Sequence, residues 1–402
     1  MATGLDAVYG EITDVDAHEL IPTNMWADVF GEVGGQVVPL GQRDDSANAN
    51  APGHDVSRDD LPITDENVWK IRPRLRAPGA FDMRRRIEVL DHIGVRRQLL
   101  FPGFGLFALA ARRRSHDELA TMLGLDPSQL DVSDLMSRIV TAHNAWAIEQ
   151  LEVDADRLRP VGILIANSVE DAFLQAEQLL SAGIRHVWLP SANPIGGVSP
   201  AHPEIDPLWS LFEESNATVL NHIGGGAGFY NSEPWRIGVT AFEGATTAET
   251  SVDPHAFASM SMAPSHYLLT MVLGGVFERH PALRFGSIEF GANWIGPLAA
   301  SMDMWAAQSS SMRSTLSLKP SQYLRRNVRV SAFPFEPIDE YLIRYEKFDL
   351  EDVYCFATDY PHVEGGESPM KDAAERLAPF GEEIVQKFFV TNGMHILPPL
   401  DV

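Results

Sequence analysis

The sequence predicts an α/β protein of the (β/α)8 TIM-barrel class. Two observations carry that prediction. Eight short β-branched or apolar runs each give way, after a loop, to a stretch with helical periodicity, and ligand-capable polar residues close four of those runs. The runs are Glu11 to His18, Val95 to Pro102, Leu158 to Ala166, Arg185 to Pro190, Ala217 to His222, Leu283 to Phe290, Asn327 to Phe333 and Val353 to Asp359. The helical segments lie near Phe81 to His92, Asp134 to Leu151, Ser168 to Ala182, Asp206 to Ser215, His255 to His280, Ala292 to Gln308, Glu336 to Tyr345 and Ser368 to Leu377. A doubly wound open sheet is the competing architecture. Its glycine-rich fingerprint directly after the first strand is missing, because that run ends in Asp16-Ala17-His18.

Two connections are too long for plain loops, and both follow strands. Residues 19–80 and 223–254 therefore belong at the C-terminal face of a barrel, where substrates bind, and are expected to act as lids. The first contains the polar stretch Arg43 to Asn50. Residues 1–402 are read as one barrel domain carrying these two insertions.

The chain carries 31 Lys plus Arg against 55 Asp plus Glu, for a net charge of −24. Such a balance repels polyanions at long range, which argues against nucleic acid and anionic membrane surfaces as partners. The run Arg84-Arg85-Arg86 reads as a solvated helix face. A single cysteine, Cys355, leaves no partner for an intramolecular disulfide and rules out a multi-cysteine metal site. With no signal-like start and no 18-residue apolar run, a cytoplasmic location is the expectation.

Strand side chains alternate with period two, so Asp14, Asp16 and His18 share a face, and the last two stand at the C-terminal end of strand one. The same phasing places His222 at the end of strand five, Glu289 at the end of strand six and Asp359 at the end of strand eight. Five polar side chains then converge on one barrel mouth. Unpaired carboxylates and imidazoles at the edge of an apolar barrel are costly to desolvate, and a divalent cation resolves the cost. Imidazole with carboxylate suits zinc first, with manganese or another divalent metal as the alternative.

Several strings resemble a known family: Asp14 to His18, Asn221 to Gly224, Gly274 to Pro281 running into Ile288 to Trp294, and Thr358 to His362. They are similar to the amidohydrolase-related family, the branch of the amidohydrolase superfamily that includes aminocarboxymuconate semialdehyde decarboxylase and the resorcylate and carboxyvanillate decarboxylases. The resemblance runs from strand one to strand eight. It implies Asp16, His18, His222 and Asp359 as metal ligands, Asp359 also handling a proton, and a homodimer. One departure stands out: the decarboxylases usually end strand six in a histidine, where this chain has Glu289.

The activity this implies is metal-dependent, non-oxidative cleavage of a C–C bond, in the form of decarboxylation of a small aromatic or unsaturated carboxylic acid. Asp359 or Glu289 would deliver the proton, with His222 at the same centre. The alternative is hydrolysis of an amide, lactone or C–C bond by metal-bound hydroxide. His362 is expected to orient a ligand from behind. Phe104, Phe229 and Trp235 in the strand-end loops are candidates to line an apolar pocket, and Arg72 to hold a substrate carboxylate. His92, His143 and His280 read as structural, and Cys355 as barrel filling.

Overall fold

The computed structural model describes residues 4–44, 58–71, 74–112, 115–225, 229, 233–242 and 254–400. Eight parallel strands pair in sequence order: β1 (Ile12–Asp14), β2 (Val95–Leu100), β3 (Leu158–Ile163), β4 (His186–Trp188), β5 (Thr218–His222), β6 (Arg284–Ile288), β7 (Val328–Ser331) and β8 (Tyr354–Cys355). The ring closes just beyond β1 and β8. Val15 N–H donates to Phe356 O at 3.2 Å, Asp359 N–H to Asp16 O at 2.9 Å and His18 N–H to Tyr360 O at 2.7 Å. The chain is thus a (β/α)8 barrel, as the strand and helix alternation predicts. The first and last runs extend past their regular strands, and beyond them Ala17 pairs with Tyr360 and His18 with Phe101 as isolated bridges.

Capping residues set where the outer helices begin. Asp82 accepts from Arg84 N and Arg85 N ahead of helix Met83–Ile93, which stops at Gly94 with φ +74°. Ser168 caps Val169–Ser181 and Asp131 caps Val132–Asp154 in the same manner. Helix Asp206–Glu214 buries Leu208, Trp209 and Phe212 on one face, each adding roughly 2 to 3 kcal/mol of apolar burial.

Two expectations change. The single helix expected over His255 to His280 is three, Pro254–Ser259, Met262–Leu273 and Val276–Arg279, the last break falling at Gly275 with φ +74°. Within the first insertion, Trp26–Asp44 is helical apart from a break at Gly31, and its Phe30 ring approaches Trp146 on helix Val132–Asp154 with centroids 6.3 Å apart. Residues 45–50 of the polar stretch lie outside the described residues.

The barrel floor is built by a late segment, helix Asn392–Ile396. The Ile396 carbonyl accepts from His186 Nε2 at 2.9 Å and from Thr218 Oγ1 at 2.9 Å, the first residues of β4 and β5. Asn392 Nδ2 donates to Tyr354 O at 2.8 Å. His186 and Thr218 thus find their partner at the end of the barrel opposite the one where β5 finishes in His222. Among the described residues, no helix is long and apolar enough to cross a membrane.

Candidate metal centre

Asp16 and His18 arrive from the stretch that closes the barrel beside β1, and His222 is the last residue of β5. Glu289 and Asp359 stand one and four residues past β6 and β8, with φ values of +60° and +54°. Left-handed backbone is uncommon for residues with a Cβ, and it concentrates at functional sites. Each is tied by its amide: Glu289 N–H donates to Ser331 Oγ at 2.8 Å and Asp359 N–H to Asp16 O at 2.9 Å. Simple strand phasing brings Glu289 to the mouth, but it is the turn at this residue that completes the approach.

One ligand atom from each of Asp16, His18, His222 and Glu289 falls in a set mutually within 4.8 Å. His222 Nε2 lies 3.4 Å from Asp16 Oδ1 and 3.0 Å from Glu289 Oε2. His18 Nε2 lies 3.6 Å from Asp16 Oδ1, 3.8 Å from Glu289 Oε2 and 3.6 Å from Asp359 Oδ1. Neighbouring ligands about 2.1 Å from one ion stand roughly 3.0 to 3.4 Å apart, so the cluster nearly matches a coordination shell before any ion is considered. Asp16 Oδ1, His18 Nε2 and His222 Nε2 are buried and make no hydrogen bond. That orphaned N and O donor set fits a divalent cation.

Position and tautomer are fixed from outside the cluster. His222 donates from Nδ1 to Ile223 O at 3.0 Å, which leaves Nε2 as the lone-pair nitrogen facing the carboxylates. The Phe101 ring stacks on His222 with centroids 4.1 Å apart, and Trp188 meets it edge-on at 5.3 Å. Burial pushes the His18 imidazole down to about 3, so it is neutral and able to ligate. Burial, and then the nearby Asp359 and Asp16, hold the Glu289 carboxyl well above the usual range.

Behind His18 runs a buried polar chain that sequence reasoning missed. Arg86 donates from Nη2 to His18 O at 2.7 Å, from Nε to Gly79 O at 2.6 Å and from Nη1 to Gln98 Oε1 at 2.9 Å. Gln98 Nε2 donates to Asp14 Oδ2 at 2.7 Å, and Asp14 in turn accepts from Thr358 N and Thr358 Oγ1 at 2.9 and 2.6 Å. The reading of Arg84-Arg85-Arg86 as a solvated face is therefore corrected. Arg84 is exposed, but Arg86 points inward and is fully buried, its guanidinium 4.7 Å from the Tyr360 ring centroid. Helical spacing that places Arg86 beside Val89 and Leu90 on the apolar face was the available signal.

Asp359 and His362 stay beside His18, and the other candidates scatter. Asp359 falls in a second set with His18 and His362 rather than in the tight four, and the His362 ring centroid lies 4.6 Å from that of His18. The two sets share His18, so Asp359 stays at the edge of the same centre, with Glu289 beside Asp16 and His222. Phe104 is buried, stacked on Phe30 at 3.7 Å. Phe229 is exposed with its ring 5.2 Å from that of His266, and Trp235 is 68% exposed on the short helix Glu233–Arg236. Arg72 lies outside the described residues. Phe101 and Trp188, which do border His222, were not singled out from the sequence.

Comparison with known proteins places this geometry in a family. Residues 107–398 match the family model described as Amidohydrolase. The chain belongs to the amidohydrolase family. The match takes in His222, Glu289, Asp359 and His362, whereas Asp16 and His18 precede it. Among solved structures, an amidohydrolase from Mycobacterium avium subsp. paratuberculosis is 22% identical, covering 81% of this chain and 75% of its own, with a TM-score of 0.60. The 5-carboxyvanillate decarboxylase of Sphingomonas paucimobilis is 15% identical over 97% of this chain and 99% of its own, with a TM-score of 0.57. A 5-carboxyvanillate decarboxylase of Novosphingobium aromaticivorans, solved with manganese and 4-hydroxy-3-methoxy-5-nitrobenzoic acid, is 16% identical over 96% of both chains, with a TM-score of 0.53. No curated protein matches the sequence.

Proposed function

We propose that this amidohydrolase-family enzyme binds one divalent metal and decarboxylates a small aromatic or unsaturated carboxylic acid. The observation that carries the metal reading is the buried convergence of Asp16 Oδ1, His18 Nε2, His222 Nε2 and Glu289 Oε2, three of them without hydrogen-bond partners. Support for decarboxylation comes from similar solved structures that are decarboxylases of hydroxylated benzoic acids. A zinc or manganese ion held by these four residues would supply Lewis-acid polarisation of a substrate oxygen.

Asp359, outside the tight four yet 3.6 Å from His18 Nε2, is the group assigned to proton transfer. The bond from carbon to carboxyl breaks, its electron pair stays on the carbon and carbon dioxide leaves. A proton from Asp359 forms the new C–H bond, and Asp359 takes another from water. Phe101 and Trp188 pack against His222 and limit water on that side of the centre.

The carboxylate at Glu289, where the decarboxylases usually carry a histidine, favours one second reading. In it water attacks the carbonyl carbon of an amide, lactone or C–C substrate while Asp359 takes the water's proton, and that proton passes to the nitrogen, oxygen or carbon that leaves as its bond to the carbonyl breaks. Incubation of the manganese-loaded enzyme with hydroxylated benzoic acids and, in parallel, with their amides and lactones separates the two. Release of carbon dioxide with solvent deuterium in the product supports decarboxylation, and 18O from water in the product supports hydrolysis.

A further inference from the structure

We propose that Glu336, together with Ser331, is a positioning residue that fixes the Glu289 carboxylate at the metal centre. The proposal rests on the reading of Asp16, His18, His222 and Glu289 as the metal-holding residues.

The turn that carries Glu289 has an unusual backbone. Glu289 at φ +60° is followed by Gly291 at φ +68°, so the chain leaves the β6 ladder abruptly and its next amides find no strand partner. Glu336, in the loop after β7 and 7% exposed, collects them. Its Oε1 accepts from Ala292 N at 3.0 Å, Asn293 N at 3.1 Å and Tyr341 Oη at 3.2 Å. Its Oε2 accepts from Ala292 N at 3.0 Å and from Phe333 N at 2.8 Å. One carboxylate therefore binds the turn after β6 to the turn after β7. Ser331 closes the other end of the same turn by accepting from Glu289 N at 2.8 Å.

The fit around Glu336 is close. A Cβ on Gly291 would stand 3.1 Å from Glu336 Oε1, so both the positive φ and the approach of the carboxylate call for glycine there. All of these partners are donors, which an acceptor-only carboxylate satisfies and an amide does not. In Glu336→Gln the NH2 group must face N–H donors of one turn or the other, and that turn loses its tie.

Manganese binding to protein stripped of metal, followed by the electron paramagnetic resonance signal of free Mn2+, tests the assignment as a double-mutant cycle. Glu336→Gln and Ser331→Ala should each weaken Mn2+ binding about tenfold or more in the otherwise native chain. In a Glu289→Gln background the same substitutions should change affinity by no more than about twofold, because the group they position is already gone. Equal losses in both backgrounds, or no loss in the native one, overturn the proposal. If Glu289→Gln by itself leaves Mn2+ affinity unchanged, the reading of the metal centre fails and takes the proposal with it, a pattern distinct from the other two. Circular dichroism checks folding, and should Glu336→Gln not fold, Ser331→Ala completes the cycle alone.

Discussion

Glu289 Oε2 lies 3.0 Å from His222 Nε2, although His222 already donates from Nδ1 to the Ile223 carbonyl. With Nδ1 as the protonated nitrogen of a neutral ring, Nε2 is an acceptor facing an acceptor. That contact is repulsive unless a cation or a proton lies between the two, and Asp16 Oδ1 at 3.4 Å from the same nitrogen sharpens the conflict.

Protein purified without chelator should therefore carry close to one equivalent of a divalent metal, and His18→Ala and His222→Ala should lose it. Elemental analysis decides, and metal-free native protein that regains none on reconstitution would remove the centre. Metal at about 100 times its Kd should also stabilise the fold by about 2.7 kcal/mol, read as a rise in melting temperature.

Asp359→Asn keeps the size of the side chain but cannot cycle a proton. Turnover should fall by on the order of 10² to 10⁴, while Asp16, His18, His222 and Glu289 retain the metal. Carbon dioxide release at saturating substrate, set beside metal content, measures both. A variant that turns over normally would return the proton to another group.

Removing the Arg86 side chain strands the carbonyls of His18 and Gly79 and the amide oxygen of Gln98 in a buried setting. Arg86→Ala should cost about 3 kcal/mol or more in urea unfolding. A loss within the range of an exposed residue such as Arg84→Ala would mean that the buried chain contributes little.

Acid stability should depend on His143 and His186. Burial lowers the first to about 4 and the second to about 3 in the folded protein, below the ordinary value of 6.5. Between the folded and unfolded values the unfolded chain binds more protons, so stability rises with pH there and is lost on acidification from about 6.5 downwards. Each residue contributes on the order of 3 kcal/mol across that window. His143→Gln, whose amide can still donate to Val161 O, should flatten the slope of unfolding free energy between pH 7 and pH 5. Parallel curves for native and variant protein would reject this account.

Much of the barrel was legible because alternating strand and helix periods are strong signals over whole elements. The ends of strands one, five, six and eight were legible for the same reason, and they delivered Asp16, His18, His222, Glu289 and Asp359 to one place. Details set by single backbone angles were not. Gly31, Gly34, Gly35, Pro39 and Gly41 disguise helix Trp26–Asp44, yet a Cβ at Gly34 would stand only 2.1 Å from Trp26 O, so the glycine there serves close packing. Arg86 was hidden because three consecutive arginines read as one charged patch, when on a helix they point in three directions. Nothing in the local sequence marks Glu336, whose partners lie 3 to 44 residues away in two different turns.

The seam joining Ala17 to Tyr360 and the floor laid by Ile396 give the fold a late finishing point. A chain made only as far as β7 would lack Tyr360 to pair with Ala17 and Ile396 to cover the starts of β4 and β5, leaving an edge and a base open. His18 waits there for Asp359, and His186 and Thr218 wait for the carbonyl that satisfies them. Aggregation should accordingly compete with closure while synthesis is under way, and truncation ahead of Asn392 should yield insoluble chains rather than a smaller working enzyme.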